Sequence, residues 1–282
     1  MHTIQNLLTE SSQQLHASSD SAQIDVEILL CHILKKDRSH LRAWPEKQLT
    51  NEQFGQFQQL FKKRLQGTPV AYLTGTREFW SRDFITTPAV LIPRPETETL
   101  IELCLDLIDD KASNSLLDLG TGSGIIAITL AAERRYIQVT AVDKSSAALN
   151  IAKQNAALNQ TPQISFIQSD WFTDIPKQKF DFIVSNPPYI NSSDPHLQQG
   201  DVRFEPNSAL IAEQQGLQDI IYIAQQSKVY LKQEAYLILE HGYDQKNAVN
   251  TILSENNYYN IHCLNDLSGQ ARISYAQWRS NT

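Results

Sequence analysis

Apolar residues recur along this chain with two different periods. Early in the chain they fall three and four apart: Ile4, Leu7, Leu8 and Leu15, then Val26, Leu29, Leu30, Ile33 and Leu34, then Phe54, Phe57, Phe61 and Leu65. Each set occupies one face of an α-helix. Asp20 and Ser21 precede the second set as capping candidates. Thr50, with Gln53 three residues on, opens the third as a capping-box pattern, and Gly67 closes it. The spacing predicts a small helical bundle over residues 1–75 that carries no chemistry of its own and suits the binding of a partner. Residues 77–92 are rich in aromatic, Thr and Ile/Val residues and predict a short β-hairpin, after which Pro93 and Pro95 mark a boundary. The expected organisation is a helical domain over 1–75, a hairpin linker over 76–93 and a larger domain over 94–282.

In that larger domain the period alternates. Helices are predicted over 96–108, from the glycines to 134, and over 146–158, 217–231 and 244–253. Apolar strands are predicted over 115–119, 138–142, 164–168, 180–184 and 235–240, with a final pair over 259–264 and 272–277. Strands that are apolar almost throughout, alternating with helices, imply a parallel sheet covered on both faces. The last two strands follow each other too closely for a parallel crossover and must pair antiparallel. The fold class is α/β, a Rossmann-like open sheet of seven strands with one reversed, preceded by the helical domain and the hairpin. The long connection 191–216 borders the carboxyl ends of the strands and is expected to close over a ligand. His196 within it reads as a solvated loop residue.

Composition narrows the class. With 282 residues, 41% hydrophobic and 20% charged, the chain is globular. Its most apolar stretch, 116–132, is interrupted by Asp118 and three glycines and cannot span a bilayer. No basic-then-apolar segment suggests a secretory leader. Cys31, Cys104 and Cys263 are far apart and show neither zinc spacing nor a disulfide framework, so no metal is expected and a reducing cytoplasm fits. The net charge of −7 is uneven: residues 1–92 carry ten Lys and Arg against nine Asp and Glu, and the remainder fourteen against twenty-two. An acidic larger domain argues against a broad phosphate-binding face and makes nucleic acid an unfavoured partner.

The first predicted strand of the sheet ends in DLGTGSG, Asp118 to Gly124. Its glycines let the backbone turn sharply and let a ligand approach where a Cβ would clash. Nineteen residues beyond Gly124, the second strand ends in Asp143, whose carboxylate can accept both ribose hydroxyls of a nucleoside. A glycine loop with an acidic partner also suits NAD, but there the glycines favour G-x-G-x-x-G; here they run G-x-G-x-G behind an acidic residue. S-adenosylmethionine has no pyrophosphate and carries an ammonium and a sulfonium, so Asp118 is expected near those cations. Asp170 and Trp171, just after the third strand, are expected over the adenine.

The fourth strand runs into Asn186-Pro187-Pro188-Tyr189. In an open α/β sheet this strand end and the glycine loop flank one crevice. A planar NH2 group is a poor nucleophile because its lone pair is delocalised, and it must be aligned with the S–CH3 bond. The Asn186 side-chain oxygen and the Pro187 carbonyl can accept its two protons, and those bonds strengthen as the nitrogen loses electron density in the transition state. Proline stiffens the loop, and Tyr189 is expected to pack on the planar group and exclude water.

Together, DLGTGSG, Asp143, SDW at 169–171 and NPPY make the chain resemble the PrmC (HemK) family of glutamine methyltransferases. IDVEILLCHIL, GTPVAYLTGTREFWSRDF, LIPRPETE (91–98), VRFEP (202–206) and DLSGQAR (266–272) extend the likeness over nearly the whole length. The resemblance implies a helical domain that helps dock a class 1 peptide chain release factor and a catalytic domain that methylates the amide nitrogen of a glutamine in a Gly-Gly-Gln loop. It implies that Gly120, Thr121, Gly122, Ser123, Gly124, Asp143, Asp170, Trp171 and Asn186 contact S-adenosylmethionine, and that Asn186, Pro187, Pro188 and Tyr189 hold the glutamine. The rival activities are methylation of an exocyclic amino group of nucleic acid, of the adenine N6 type, and of a ribosomal-protein glutamine.

Overall fold

The structure, a computed structural model, describes residues 2–280. By its internal contacts the chain divides into two units: one runs through Thr76 and includes Pro195–Phe204, the other comprises Arg77–Asp194 and the chain from Glu205 onward.

The first unit consists of α1 (Ile4–Leu15), α2 (Ala22–Leu34), α3 (Arg38–Ala43), α4 (Asn51–Leu65) and α5 (Val70–Thr74). Ile4, Leu7, Leu15, Val26, Leu29, Leu30, Phe57 and Phe61 share one core, as their spacing predicts. The capping box is formed: Gln53 N–H donates to the Thr50 hydroxyl at 3.2 Å and Thr50 N–H to Gln53 Oε1 at 3.0 Å, satisfying two donors at the start of α4. Gly67 follows the helix at φ +94°. Two features depart from the sequence pattern. The helices α3 and α5, of six and five residues, are too short to display an apolar stripe. Leu65 is 40% exposed, whereas Arg64 beside it is buried. Arg64 takes the inward position because its guanidinium is fully engaged, with Asp25 at 2.8 Å, Asp201 at 3.1 Å and the carbonyls of Gly67 and Thr68 at 3.3 Å. Asp201 lies within Pro195–Phe204, which explains why that stretch of the long connection groups with the helices and not with the larger unit.

The second unit opens with β1 (Thr76–Phe79) and β2 (Arg82–Ile85). Trp80 and Ser81 between them both have positive φ, which a two-residue hairpin turn matched to strand twist requires. There follow α6 (Thr97–Leu107), β3 (Ser115–Leu119), α7 (Ile125–Glu133), β4 (Gln138–Asp143), α8 (Ser146–Leu158), β5 (Ser165–Gln168) and β6 (Phe180–Ser185). After β7 (Ile190–Asn191), β8 (Ile211–Ala212) and the single turn α9 (Glu213–Gly216) come α10 (Gln218–Tyr230), β9 (Leu231–Glu240), α11 (Lys246–Glu255), β10 (Tyr258–Asn265) and β11 (Ala271–Trp278).

The seven-stranded sheet has the order β10-β11-β9-β6-β3-β4-β5, and only β11 runs against its neighbours β9 and β10. Alternate strand residues feed two separate cores. Leu116, Val139, Val184 and Ile238 pack on one face, and Leu117, Val142, Ile183 and Leu237 on the other. Full burial of such a side chain contributes roughly 1.5–3 kcal/mol, which is why the strands are apolar at nearly every position. The strand β9 begins four residues earlier than its apolar pattern, with Glu234 at φ +62° inside the polar stretch and a register shift against β6. The short parallel pair β7–β8 inside the long connection has no sequence signal.

Candidate active site

In-register pairing brings the two motifs together. The residue pairs Leu119–Val142 and Leu119–Ser185 put the ends of β4, β3 and β6 side by side, so Asp143, Gly120 and Asn186 leave the sheet at one level. The backbone N–H groups of Gly120 and Thr121 both donate to Val142 O, and the Ser185 hydroxyl donates to Leu119 O at 2.7 Å. These bonds fix the three strand ends against one another.

A cleft opens above them. Of the residues singled out in the sequence, Gly120 to Ser123, Asp143, Asp170, Trp171, Asn186 and Pro188 line it. Gly124, Pro187 and Tyr189 do not. Gly124 has φ +87°, and a Cβ there would lie 2.6 Å from Ile128 Cδ1, so this glycine serves the packing of the loop onto α7. The Pro187 ring is buried, and the half-buried Tyr189 packs against the core with its hydroxyl 3.4 Å from Glu240. The Tyr189 ring thus rests against the core and its hydroxyl points at a carboxylate.

Asp118 also lies elsewhere than expected. It is completely buried behind the loop, where its Oδ2 accepts from the Thr121 hydroxyl at 2.6 Å and from Ala127 N–H at 3.2 Å, while Oδ1 has no hydrogen-bond partner among the described residues. Burial pushes its carboxyl up to about 7 against those two bonds. Asp118 braces the turn from glycine loop to α7; it is not part of the cleft wall.

The cleft fits S-adenosylmethionine on three observations. At Gly122, φ +57°, a Cβ would meet nothing closer than a backbone oxygen at 4.0 Å, so open space lies over the loop. At Gly120, φ +72°, it would come within 3.4 Å of the Trp171 indole, which forms an apolar wall beside the loop. Asp143 accepts from Gly122 N–H at 2.9 Å with one oxygen and from Ser145 N–H at 2.8 Å with the other. A carboxylate has about four acceptor positions, so two remain for a pair of ribose hydroxyls. Burial raises the Asp143 carboxyl, and the two backbone donors work against that shift.

Several residues of the site carry no sequence signal of their own. Asn155 on α8 is fully buried and donates to Ser123 O and Ile85 O, tying the glycine loop to β2. Thr97 and Arg94, within LIPRPETE, reach the cleft wall. Arg94 binds Glu205 of VRFEP, so the two motifs noted for resemblance alone are partners in space. Asn186 Nδ2 donates to Thr97 Oγ1 at 3.3 Å, and the Thr97 hydroxyl donates to Glu240 Oε2 at 2.8 Å. Glu240 is 1% exposed, and burial pushes its carboxyl up to about 7, opposed first by the Thr97 hydroxyl and then by Arg272. Behind Tyr189, Gln245 donates to the tyrosine carbonyl at 3.0 Å. At Gly216, φ +82°, a Cβ would lie 2.0 Å from that same carbonyl, so only glycine permits this approach.

Comparison with known proteins agrees with this geometry. Residues 6–75 match the family described as PrmC N-terminal domain and residues 96–214 the Methyltransferase small domain. The release factor glutamine methyltransferase of Aliivibrio fischeri is 45% identical over 98% of both chains. That of Shewanella oneidensis is 47% identical over 94% of this chain and 92% of its own. Among solved structures, a Thermus thermophilus 16S rRNA N2 G1207 methyltransferase in complex with AdoMet and guanosine aligns with a TM-score of 0.54, 17% identity, and coverage of 72% of this chain and 50% of that one, a likeness of fold alone. Sequence relatives over the full length and a glycine-lined cleft at the ends of β3, β4 and β6 together establish that the chain belongs to the release factor glutamine methyltransferase family.

Proposed function

We propose that this protein transfers the methyl group of S-adenosylmethionine to the side-chain amide nitrogen (N5) of the glutamine in the Gly-Gly-Gln loop of class 1 peptide chain release factors. The observation that carries the reading is the position of Asn186: it leaves β6 level with Gly120 and lines the same cleft as the glycine loop and Asp143. An acceptor nitrogen held there would share the cleft with a methyl donor on the glycine loop.

When bound, S-adenosylmethionine supplies an electrophilic methyl on a good leaving group. Gly120 to Ser123 cradle it, Asp143 accepts its ribose hydroxyls, and Trp171 and Asp170 border its base. Asn186 Oδ1 and the Pro187 carbonyl would accept the two N–H protons of the glutamine amide and orient its nitrogen; as the N–C bond forms and the S–C bond breaks, one of those protons would leave to solvent. Both hydrogen bonds strengthen as positive charge grows on nitrogen, so they act on the transition state more than on the bound substrate. Pro188 continues the wall, and Tyr189 stiffens it from behind. Alignment is the main source of rate, because well-oriented reactants convert a bimolecular step into an effectively unimolecular one.

Residues 1–75 dock the release factor and the protein works in the cytoplasm; among the described residues no helix is long and apolar enough to cross a membrane. Nucleic acid is disfavoured as substrate by the excess of acidic residues after position 92. The decisive assay offers labelled methyl donor to purified release factor, to the same factor with its Gly-Gly-Gln glutamine replaced by alanine, to ribosomal proteins and to duplex DNA. Label is expected on the first alone. Label on DNA or on ribosomal protein in its place refutes the reading, and so does Asn186→Ala with a wild-type rate.

A further inference from the structure

We propose that Thr97 and Glu240 are positioning residues that lock the Asn186 amide with its oxygen toward the methyl acceptor. The inference rests on the acceptor role given to Asn186 above and supplies what that role lacks. A carboxamide has two ends of nearly the same shape and opposite hydrogen-bonding character. Turned by half a rotation, Asn186 would offer N–H donors to a group that is itself all donor, and the substrate would be repelled.

The structure removes that choice in two steps. Asn186 Nδ2 donates to Thr97 Oγ1 at 3.3 Å. A threonine hydroxyl alone would not decide the matter, since it can donate as readily as accept. Its proton points to Glu240 Oε2 at 2.8 Å, and in its ionised form, the form the lock requires, that carboxylate only accepts. Only lone pairs of Thr97 are left to face Asn186, so the amide must present its NH2 to Thr97 and its oxygen away from it. The second Glu240 oxygen accepts from the Tyr189 hydroxyl at 3.4 Å, so the same carboxylate holds both ends of the Asn-Pro-Pro-Tyr turn.

The placement follows from the sheet. The β6–β9 pairing matches Ser185 with Leu239, which sets Asn186 and Glu240, the residues that follow, beside each other. Thr97, at the first position of α6, closes the chain of bonds from above the strand ends. Thr97 and Glu240 are 0% and 1% exposed, so water does not compete for these bonds. A carboxylate is costly to bury; one whose two oxygens receive the hydroxyls of Thr97 on α6 and of Tyr189 in the Asn-Pro-Pro-Tyr turn has a reason to be retained.

The test uses full-length enzyme, saturating S-adenosylmethionine and purified release factor, with donor affinity measured in parallel by calorimetry. Thr97→Val keeps the shape and removes the hydroxyl. It is expected to lower kcat roughly 10- to 100-fold, the scale of a misaligned reacting group, with donor Kd and the KM for release factor little changed. Thr97→Ser restores the hydroxyl and is expected to recover most of kcat, which a merely structural role for the side chain would not predict. Glu240→Gln is expected to reproduce the Thr97→Val defect, and the double variant to be no worse than either, because all act through one amide. A wild-type kcat in Thr97→Val, or a loss confined to donor affinity or KM, overturns the proposal. Asn186→Ala separates the two readings: if it is inactive while Thr97→Val is fully active, only the lock fails; if it retains a wild-type rate, the acceptor role has failed and the lock with it.

Discussion

Arg94 donates to both carboxylate oxygens of Glu205 at 2.8 Å each, and the Glu205 side chain is completely buried. The pair joins the chain just before α6 to the middle of the long connection, where Pro206 and Ser208 form part of the cleft wall. Glu205→Ala is expected to destabilise the protein by about 3 kcal/mol, the lower range for breaking a buried pair because Arg94 keeps some contact with solvent. Urea denaturation measures this; a change within experimental scatter would mean that Arg94 finds water at no cost.

Asp143→Ala removes the carboxylate proposed to accept the ribose hydroxyls and also releases the N–H groups of Gly122 and Ser145. Affinity for S-adenosylmethionine is expected to fall about tenfold or more, from a charge-assisted bond of roughly 1.5–3 kcal/mol. Calorimetry on the purified variant decides it, and an unchanged Kd would remove Asp143 from the donor site.

The two glycines that flank Ser123 are expected to fail differently. An alanine methyl at Gly124 collides with Ile128 at 2.6 Å in a left-handed conformation, so Gly124→Ala is expected to lower stability by roughly 1–3 kcal/mol. At Gly122 the methyl meets only open cleft, so Gly122→Ala is expected to lose donor binding in excess of stability. Thermal unfolding and calorimetry on both variants would show the crossover, and parallel losses would contradict it.

Arg64 joins Asp25 to Asp201 inside the helical unit, with 8% and 7% exposure for the Arg64 and Asp25 side chains. Arg64→Ala leaves a buried carboxylate unpaired and is expected to cost about 3–5 kcal/mol. It also frees residues 195–204 from their anchor, so limited proteolysis should cut within that stretch before anywhere else. Resistance there equal to wild type would show that other contacts hold the segment.

Asp118 makes stability depend on pH. Its carboxyl titrates at about 7 in the fold against 3.8 when solvated, so the folded state binds the proton more tightly. The resulting stabilisation is complete below pH 4 and is lost as pH rises through 7. Between pH 5 and 8 wild type is expected to lose about 2–3 kcal/mol more than Asp118→Asn, whose amide does not ionise. Equal slopes in denaturation series at the two pH values would show that Asp118 does not titrate in this range.

Local pattern was enough for the elements whose signal is contained in a few neighbouring residues. The capping box at Thr50, the alternation from β3 to α8 and the antiparallel closing strands all follow from spacing and turn length, and each appears as read. Short pieces such as α3, α5 and the β7–β8 pair escaped because they contain less than two periods of any pattern. At the site, Gly120, Gly122, Asp143, Trp171 and Asn186 could be read from motif position, since strand ends in such a sheet converge. The surroundings of Asp118 and Tyr189 could not, because a motif specifies where the backbone goes and not which way each side chain is turned.

By itself the amino-acid order determined the fold class, the glycine loop and the Asn-Pro-Pro-Tyr turn at the strand end, for those depend on periodicity and on residues adjacent in the chain. Only the tertiary structure decided that Glu240, remote in sequence, stands beside Asn186, that Arg64 captures part of the connection that follows the Asn-Pro-Pro-Tyr turn, and that Asp118 is sealed in the interior. The reason is physical: sheet register and burial bring together side chains far apart along the chain, and a hydrogen bond depends on three ångströms of space, not on the number of residues between its partners.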